Sequence, residues 1–263
     1  MPEESFTHRF LPGLGRSVHR LGIGCNYGID ERGFEYALDQ GINYVFWTAT
    51  GTRGLKPVLR RAIAAQRDRL VIATGPSVAY FGGNVRRTAE RLLEDLGTDY
   101  LDVFHLFWLG VSSAWTEGTL DALRELKAAG KIRKIGISIH DRERAGRLAV
   151  DPTLDLLMLR YNAAHPGAER DVFPHLSERK PTVVAYTATS WGKLLRSPRG
   201  YQGPVMNPGD CYRFCLSSPH VDLVLTGPRS QRELEENLAG LARGPLSADE
   251  SEWMRRFGAA VHG

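Results

Sequence analysis

Short apolar runs alternate along the chain with longer segments in which apolar residues recur at helical spacing. The runs are rich in Val, Ile, Leu and aromatic residues and do not alternate strictly between apolar and polar positions, which is typical of strands buried on both faces of a parallel sheet. They occupy residues 21–25, 44–47, 70–74, 101–108, 134–138, 155–160, 182–186 and 222–226. The pattern therefore predicts eight strands in a parallel arrangement.

Amphipathic helices are predicted between these strands, for example over residues 83–97 and 119–131, where Gly130 is a natural C-terminal stop. Eight strand–helix units in roughly 250 residues favour a (β/α)8 TIM barrel. A doubly wound sheet is the alternative, but it usually has fewer strands, and no GxGxxG follows the first one. A Pro-Gly turn before residue 21 predicts a short N-terminal β-hairpin on the barrel floor. No linker or repeat interrupts the chain, so we expect one domain, residues 1–263.

Composition narrows the function classes. Of 263 residues 42% are hydrophobic, enough for a large core, and the 34 basic and 30 acidic residues leave a net charge of only +4 without a basic tail. This charge distribution argues against nucleic-acid binding. No apolar run approaches the ~20 residues of a membrane span. The three cysteines lack CxxC spacing, which argues against a disulfide framework and fits a cytoplasmic protein. We expect no metal site, because His140 and Asp141 have no third ligand at suitable spacing.

The predicted strand ends carry a collinear set of motifs. They are LGIGC, GINY with TA, VIAT, LGTDYLDV with W, AGKIRKIGIS, RYN, VVAYT and TGPRSQRELEEN. In this order and spacing they resemble the aldo-keto reductase family over nearly the whole chain. The resemblance implies a (β/α)8 barrel that binds NADP(H) in an extended pose across the carboxyl ends of the strands.

The catalytic positions implied by the resemblance depart from the family pattern. Family enzymes use Asp, Tyr, Lys and His, and the motifs place these at Trp47, Thr52, Gly75 and Phe107 of this chain. None of the four residues exchanges a proton near neutral pH, whereas reduction of a ketone needs a proton donor for the developing alkoxide. We therefore expect a divergent member that lacks the tetrad.

The cofactor positions implied by the resemblance are partly kept. In the segment that begins at Gly227, Arg229 and Ser230 would hold the 2′-phosphate, and Glu236 and Asn237 would meet the adenine. Tyr186 matches the aromatic residue that carries the nicotinamide ring. Ser138 matches one carboxamide contact, but Ile139 and Met158 replace the family's Asn and Gln.

Four residues are candidates for a substitute catalytic role, each beside a structural interpretation. His105 is either an acid or base at the pocket floor or a hydrogen-bonded core histidine. Tyr27 is either a phenol over the pocket or a packed rim aromatic. Arg53 either binds a substrate carboxylate or phosphate or is an exposed loop cation, and His165 either supplies a base or is solvated. Cys25 we expect to be a buried packing thiol rather than a nucleophile.

The leading hypothesis is an NADP(H)-binding oxidoreductase of atypical mechanism that reduces an imine, an iminium ion or an activated double bond. The group Trp47, Phe107, Trp108 and Trp191 predicts a pocket suited to an aromatic or cationic small-molecule substrate. A non-redox cyclase, dehydratase or isomerase, and a catalytically silent nucleotide-sensing subunit, remain alternatives. The sequence leaves open a monomer or a homo-oligomer.

Overall fold

A computed structural model describes residues 5–48, 52–176 and 181–262. The strands within these ranges are β1 (His8–Leu11), β2 (Arg16–His19), β3 (Leu21–Gly24), β4 (Tyr44–Phe46), β5 (Val71–Thr74), β6 (Leu101–Leu106), β7 (Ile132–Ile139), β8 (Leu156–Arg160), β9 (Thr182–Tyr186) and β10 (Leu223–Thr226). The α-helices are α1 (Glu31–Asp39), α2 (Lys56–Gln66), α3 (Gly82–Leu96), α4 (Glu117–Ala128), α5 (Arg142–Leu148), α6 (Ala168–Asp171), α7 (Pro208–Ser217), α8 (Gln231–Leu241) and α9 (Ala248–His262).

Strands β3 to β10 form a closed barrel of parallel strands, in which β10 pairs with both β9 and β3. The eight predicted strands are therefore confirmed, together with the (β/α)8 fold. The doubly wound alternative is wrong, because an open sheet would leave two strand edges unpaired. The helix between β8 and β9 is shortened to the single turn α6.

The two faces of the barrel strands bury different sets of side chains. Alternate residues along each strand point to opposite faces. One set fills the barrel interior: Tyr44, Phe46, Val71, Ala73, Val103, Leu156, Met158, Val184 and Leu223. The other set, which includes Val45, Ile72 and Phe104, packs against the helices in a larger cluster. The core is thus a filled barrel inside a ring of helices.

The predicted N-terminal hairpin is present, since β1 pairs with β2 in antiparallel register. Leu11 and Val18 join the interior cluster of the barrel, so the hairpin closes its amino-terminal end. The Asn43 amide ties the hairpin to the barrel: its Nδ2 donates to the Ser17 carbonyl at 3.0 Å, and its Oδ1 accepts from the His19 amide at 3.0 Å. The cleft described below lies at the opposite end.

Local sequence signals fix several helix ends. The Asp30 side chain caps α1 by accepting from the Gly33 amide at 2.8 Å. Asn207 and Asp210 form a capping box at the start of α7, with Pro208 in its first turn. Gly97, with φ of 66°, ends α3 in the left-handed conformation. Within the described ranges, no helix has the length and apolar character needed to cross a bilayer.

Candidate active site

A cleft of about 390 Å³ opens at the carboxyl ends of the barrel strands. Phe46, Met158 and Tyr186 line its inner part, and Tyr27 and Trp191 lie along its lining as well. The residues at its other end belong to the segment after β10 and to α8, including Arg229 and Asn237. The cleft therefore joins the barrel axis to the segment in which the sequence predicts nucleotide contacts.

The aromatic residue that β4 presents to the cleft is Phe46 rather than Trp47. Trp47 is only 4% exposed and packs in the outer cluster against the helices. Phe46 belongs to the interior cluster and lines the cleft. The expectation that Trp47 contributes to an aromatic pocket is wrong, because neighbouring residues of one strand point to opposite faces and the pleat directs Trp47 outward.

Phe107, at the position that the resemblance assigns to the family's histidine, covers His105. The two rings stack with centroids 5.5 Å apart, and Phe46 packs edge-on against both, at 6.0 Å from His105 and 5.4 Å from Phe107. His105 is fully buried, and neither ring nitrogen makes a hydrogen bond of good geometry with the described residues; the Ile137 backbone, which acts to raise the pKa of His105, opposes burial only weakly. Burial lowers the pKa of His105 to about 3, so the ring is neutral at pH 7.

The two other tetrad positions also lie in tight surroundings. A Cβ atom on Gly75 would be 2.1 Å from the His105 carbonyl oxygen, so a side chain at residue 75 requires the backbone to shift. Thr52 is buried, and its hydroxyl donates to the Thr48 carbonyl at 2.7 Å. The local backbone of this chain thus suits glycine and threonine at these two positions.

Tyr27 is the sequence-predicted catalytic candidate that the structure places on the cleft. Its ring lies against two glycines, because a Cβ on Gly227 would be 2.5 Å from the ring and one on Gly24 would be 3.2 Å from it. Partial burial raises the pKa of Tyr27. Gly227, predicted as a cofactor contact, therefore also makes room for Tyr27. The side chain of Arg53 lies outside what the structure describes.

His165 follows β8, but its side chain lies outside the lining of the cleft among the described residues. Its ring packs edge-on against His262, with centroids 4.9 Å apart. Desolvation and, after it, the nearby basic groups together lower the pKa of His165 to about 4; these groups are Arg160, His262, Lys193 and Arg142. A neutral imidazole held against α9 is therefore not positioned with Tyr27 and Tyr186.

The adenosine end predicted from sequence centres on the first turn of α8. The Ser230 hydroxyl caps the helix by accepting from the Glu233 amide at 3.2 Å. The Glu233 carboxylate accepts from the Arg229 backbone amide at 2.8 Å and from its guanidinium at 3.1 and 3.3 Å. A helix N-terminus with an exposed guanidinium suits a phosphate. In this structure, however, the Arg229 guanidinium is already paired with the Glu233 carboxylate.

The two predicted adenine contacts differ in burial and in the contacts that hold them. Asn237 is buried, and its Nδ2 donates to the Thr226 hydroxyl at 3.1 Å; that hydroxyl also lies 2.9 Å from the Tyr212 hydroxyl. Glu236 is exposed and accepts from Arg232 at 3.0 Å, one turn earlier on α8. Asn237 is thus fixed by the core, whereas Glu236 is held only by a surface ion pair, which contributes little energy.

The predicted nicotinamide end is already engaged in contacts within the protein. The Ser138 hydroxyl accepts from the Trp108 amide at 2.9 Å. The Tyr186 hydroxyl lies 3.1 Å from Nδ1 of His140. Desolvation and then the positive charge of Arg160 lower the pKa of His140, and burial raises the pKa of Tyr186. Both groups are therefore neutral at pH 7.

Sequence analysis missed three residues that shape this site. The sequence motif points to Trp47, whereas counting alternate positions from the inward-facing Tyr44 identifies Phe46 as the residue in the cleft. Glu233, in the first turn of α8, lies four residues after Arg229, which precedes the helix, and pairs with it. Arg160 ends β8 in register with Tyr186 of β9, and no local pattern distinguishes it from other arginines.

Known proteins are similar to this chain in sequence and in fold. The aldo/keto reductase family model matches residues 31–207. Aldo-keto reductase YhdN of Bacillus subtilis is 28% identical over 203 residues, covering 68% of this chain and 61% of that protein. Methylglyoxal reductase YeaE of Escherichia coli is 29% identical over 148 residues, covering 55% and 51%. The chain thus spans about half to six tenths of these relatives' lengths.

Solved structures agree on the fold. The holo form of an aldo-keto reductase from Bacillus halodurans superposes with a TM-score of 0.81, at 23% identity, over 95% of this chain and 96% of that one. An aldo-keto reductase from Klebsiella pneumoniae in complex with NADPH gives a TM-score of 0.79, at 23% identity, over 98% and 96%. Together with the family model, these similarities establish that the chain belongs to the aldo/keto reductase family.

Proposed function

We propose that this protein is an NADP(H)-dependent oxidoreductase whose reaction does not use the family's Asp, Tyr, Lys and His tetrad. The observation that carries the proposal is the composition of the cleft. Its inner wall is formed by Phe46 and Met158, with Phe107 beside Phe46, whereas polar and charged groups for a nucleotide lie at its other end. The cleft can thus hold a cofactor and a flat substrate, but among the described residues its inner wall carries no acidic side chain.

The residues present fit the adenosine part of NADP(H). Arg229 is 78% exposed in its side chain and lies beside the N-terminus of α8, where backbone amides and the helix dipole attract anions. Asn237 lies in the lining of the same cleft. Arg229 and Ser230 would hold the 2′-phosphate, Glu236 and Asn237 the adenine, and Tyr186 the nicotinamide. The complex of a structural relative with NADPH supports this assignment by analogy.

The chemistry follows from the missing proton donor. A bound NADPH would supply a hydride. An iminium carbon accepts that hydride to give an amine, and the nitrogen needs no proton from the protein. A neutral imine would first take a proton from solvent and so become that iminium ion. For an activated double bond, the proton at the second carbon would come from solvent. Phe46 and Phe107 would exclude water from one side of the reacting plane, and Tyr186 would orient the ring above it. This makes an imine, an iminium ion or an activated double bond the proposed substrate.

Cofactor titration tests the proposal first. Trp191 lies in the cleft, so NADPH and NADP⁺ should quench tryptophan fluorescence in the low-micromolar range. Arg229→Ala should weaken NADPH at least about 10-fold and leave NADH unchanged. Arg256→Ala is the matched control, because Arg256 forms the same kind of i,i+4 pair with Glu252 on α9. Absence of binding at high micromolar NADPH would refute the cofactor assignment.

The chemical part is tested by turnover with NADPH on matched panels of cyclic imines and simple aldehydes. We expect imines to be reduced and aldehydes to be reduced at least about 100-fold more slowly. Rapid reduction of aldehydes would show that another group donates the proton, and would contradict the loss of tetrad chemistry.

A non-redox proton-transfer enzyme is a second candidate, favoured by the hydrogen bond between Tyr186 and His140. A neutral imidazole beside a phenol can pass a proton between two positions of a substrate. Substrate isomerisation without added cofactor, lost in Tyr186→Phe, would support this candidate over the first.

A further inference from the structure

The rim of the cleft concentrates strained backbone. Within the described residues, the non-glycine residues with positive φ are Trp108 at 49°, Thr187 at 59°, Ser190 at 51° and Trp191 at 54°. All of them follow a barrel strand at its carboxyl end: Trp108 comes after β6, and the other three come after β9. Such conformations cost free energy and tend to persist at ligand sites.

The strained backbone holds two large aromatic rings in solvent. Trp108 is 53% exposed and Trp191 is 64% exposed. The ring of Trp108 lies 6.1 Å from that of His140, and the Arg160 guanidinium lies 5.9 Å from the ring of Trp191. Exposed indoles grouped around a concave site are typical of a surface that a ligand covers.

Arg160 supplies a positive charge at the same rim. Arg160 pairs in register with Tyr186 of β9. Its neighbour Leu159 pairs with Ile139, the last residue of β7. His140, Arg160 and Tyr186 therefore lie side by side at the ends of three neighbouring strands. Within the part of the chain that the structure describes, Arg160 forms no ion pair or side-chain hydrogen bond. The charged groups that shift the pKa of the nearby His165 are all basic, and Arg160 is one of them. The surroundings of Arg160 are therefore positively charged.

We propose that Trp108, His140, Arg160, Tyr186 and Trp191 form a rim site that binds the carboxylate of a planar aromatic substrate. The Arg160 fork matches a carboxylate in two parallel hydrogen bonds. The indoles contact the substrate ring, and the Tyr186–His140 pair provides neutral polar atoms beside it. Arg160 disfavours a simple organic cation, since like charges repel. Within the proposed function, on which this inference rests, the substrate class narrows to imines, iminium ions or activated alkenes that carry a carboxylate.

Three probes that share a naphthalene ring system and differ in charge test the rim site. They are 2-naphthoate, 2-naphthamide and 2-naphthylmethylammonium, each titrated by calorimetry into protein without cofactor. We expect 2-naphthoate to bind at least about 10-fold more tightly than the amide, and the ammonium probe to bind most weakly. Arg160→Gln should remove the preference for 2-naphthoate and leave the amide unchanged. Equal affinities for the three probes, or an unchanged preference in Arg160→Gln, would overturn the proposal.

Further variants separate charge from packing. Arg160→Lys should keep the preference for 2-naphthoate but lower its affinity, because an ammonium binds through a single point. Trp191→Leu should weaken all three probes by similar factors. Arg256→Gln, on the remote α9, is the control and should change nothing. Thermal melting of each variant verifies folding. If Arg160→Gln does not fold, Arg160→Lys still tests the proposal, because an unchanged affinity for 2-naphthoate would contradict binding through the guanidinium fork.

A cofactor titration keeps this inference separate from the proposed function. If NADPH fails to bind while 2-naphthoate still discriminates, the proposed function fails and the rim site stands. If Arg160→Gln weakens NADPH by the same factor as 2-naphthoate, Arg160 belongs to the cofactor site and the rim site is refuted.

Discussion

His105 and Phe107 stack on the inner face of β6, with ring centroids 5.5 Å apart and planes inclined by 19°. The two residues are separated by one position, so both point into the barrel and the outer ring covers the inner one. The imidazole is consequently buried without a hydrogen bond of good geometry to the described residues. This arrangement assigns His105 to the core, although its residue type suggests catalysis.

The neutral state of His105 predicts a pH dependence of stability. Its pKa is about 3 in the folded protein against 6.5 in a model compound, so the unfolded chain binds more protons between these values. The folded state is therefore destabilised as the pH falls below 6.5, by about 2 kcal/mol from this residue between pH 7 and pH 5.

Denaturant unfolding of wild type and His105→Leu at both pH values measures this contribution. The variant should lose about 2 kcal/mol less than wild type over the interval. His19, whose pKa burial lowers to about 4, remains in both proteins and cancels in the difference. Parallel pH profiles would show that His105 does not titrate on unfolding.

Gly75→Ala should destabilise the protein severely. Its Cβ would approach the His105 carbonyl oxygen to 2.1 Å, so β5 and β6 must separate, at a cost of about 3 kcal/mol or more. Gly83→Ala is the matched control, since Gly83 lies in α3 with open space around it and alanine favours the helix by about 1 kcal/mol. Thermal melting should show the two substitutions moving the midpoint in opposite directions.

Arg213→Met should destabilise the packing of α7 against α9. The guanidinium is 3% exposed and pairs with Glu250 at 2.7 Å, and it also lies 3.7 Å from Asp210. Its removal leaves Asp210 and Glu250 paired, among the described residues, only with the half-exposed Arg243, and we expect the unfolding free energy to fall by about 1–3 kcal/mol. Arg256→Met, which breaks the exposed pair with Glu252, should change the unfolding free energy by less than about 0.5 kcal/mol. Similar losses in both variants would contradict a buried network.

Glu233→Gln should shift cofactor preference toward NADPH. Glu233 occupies the Arg229 guanidinium at 3.1 Å and would repel a 2′-phosphate bound there. Removing its charge should tighten NADPH by about 3- to 10-fold and leave NADH nearly unchanged, an effect expected to shrink at high salt. Glu252→Gln on α9 is the control. Equal changes for both cofactors would mean that the 2′-phosphate does not meet this pair.

The three thiols should resist modification in the native state. Cys25, Cys211 and Cys215 are buried and free, and burial raises the pKa of each, so the reactive thiolate is scarce at neutral pH. We expect no rapid reaction with a disulfide reagent until denaturant is added, and then three equivalents. A fast reaction of the native protein with the reagent, abolished by Cys25→Ala, would contradict the packing role and identify Cys25 as a nucleophile.

The sequence by itself determined the barrel fold and the resemblance that identifies the family. Apolar runs without alternation, separated by one helix each, identify eight strands buried on both faces, and helix-ending signals such as Gly97 are local. The family resemblance, rather than periodicity, predicts the nucleotide end at Arg229 and Asn237, whose motif lies within one short segment of the chain.

Only the tertiary structure decided which side chains meet. The pleat places Phe46 in the cleft and Trp47 outside it, and a shift of one residue in register reverses the two. The enclosure of His105 depends on rings from β4 and β6, and the cationic rim depends on the alignment of β7, β8 and β9. The last two relationships join residues distant in sequence, so they follow from barrel closure and register, which no local pattern encodes.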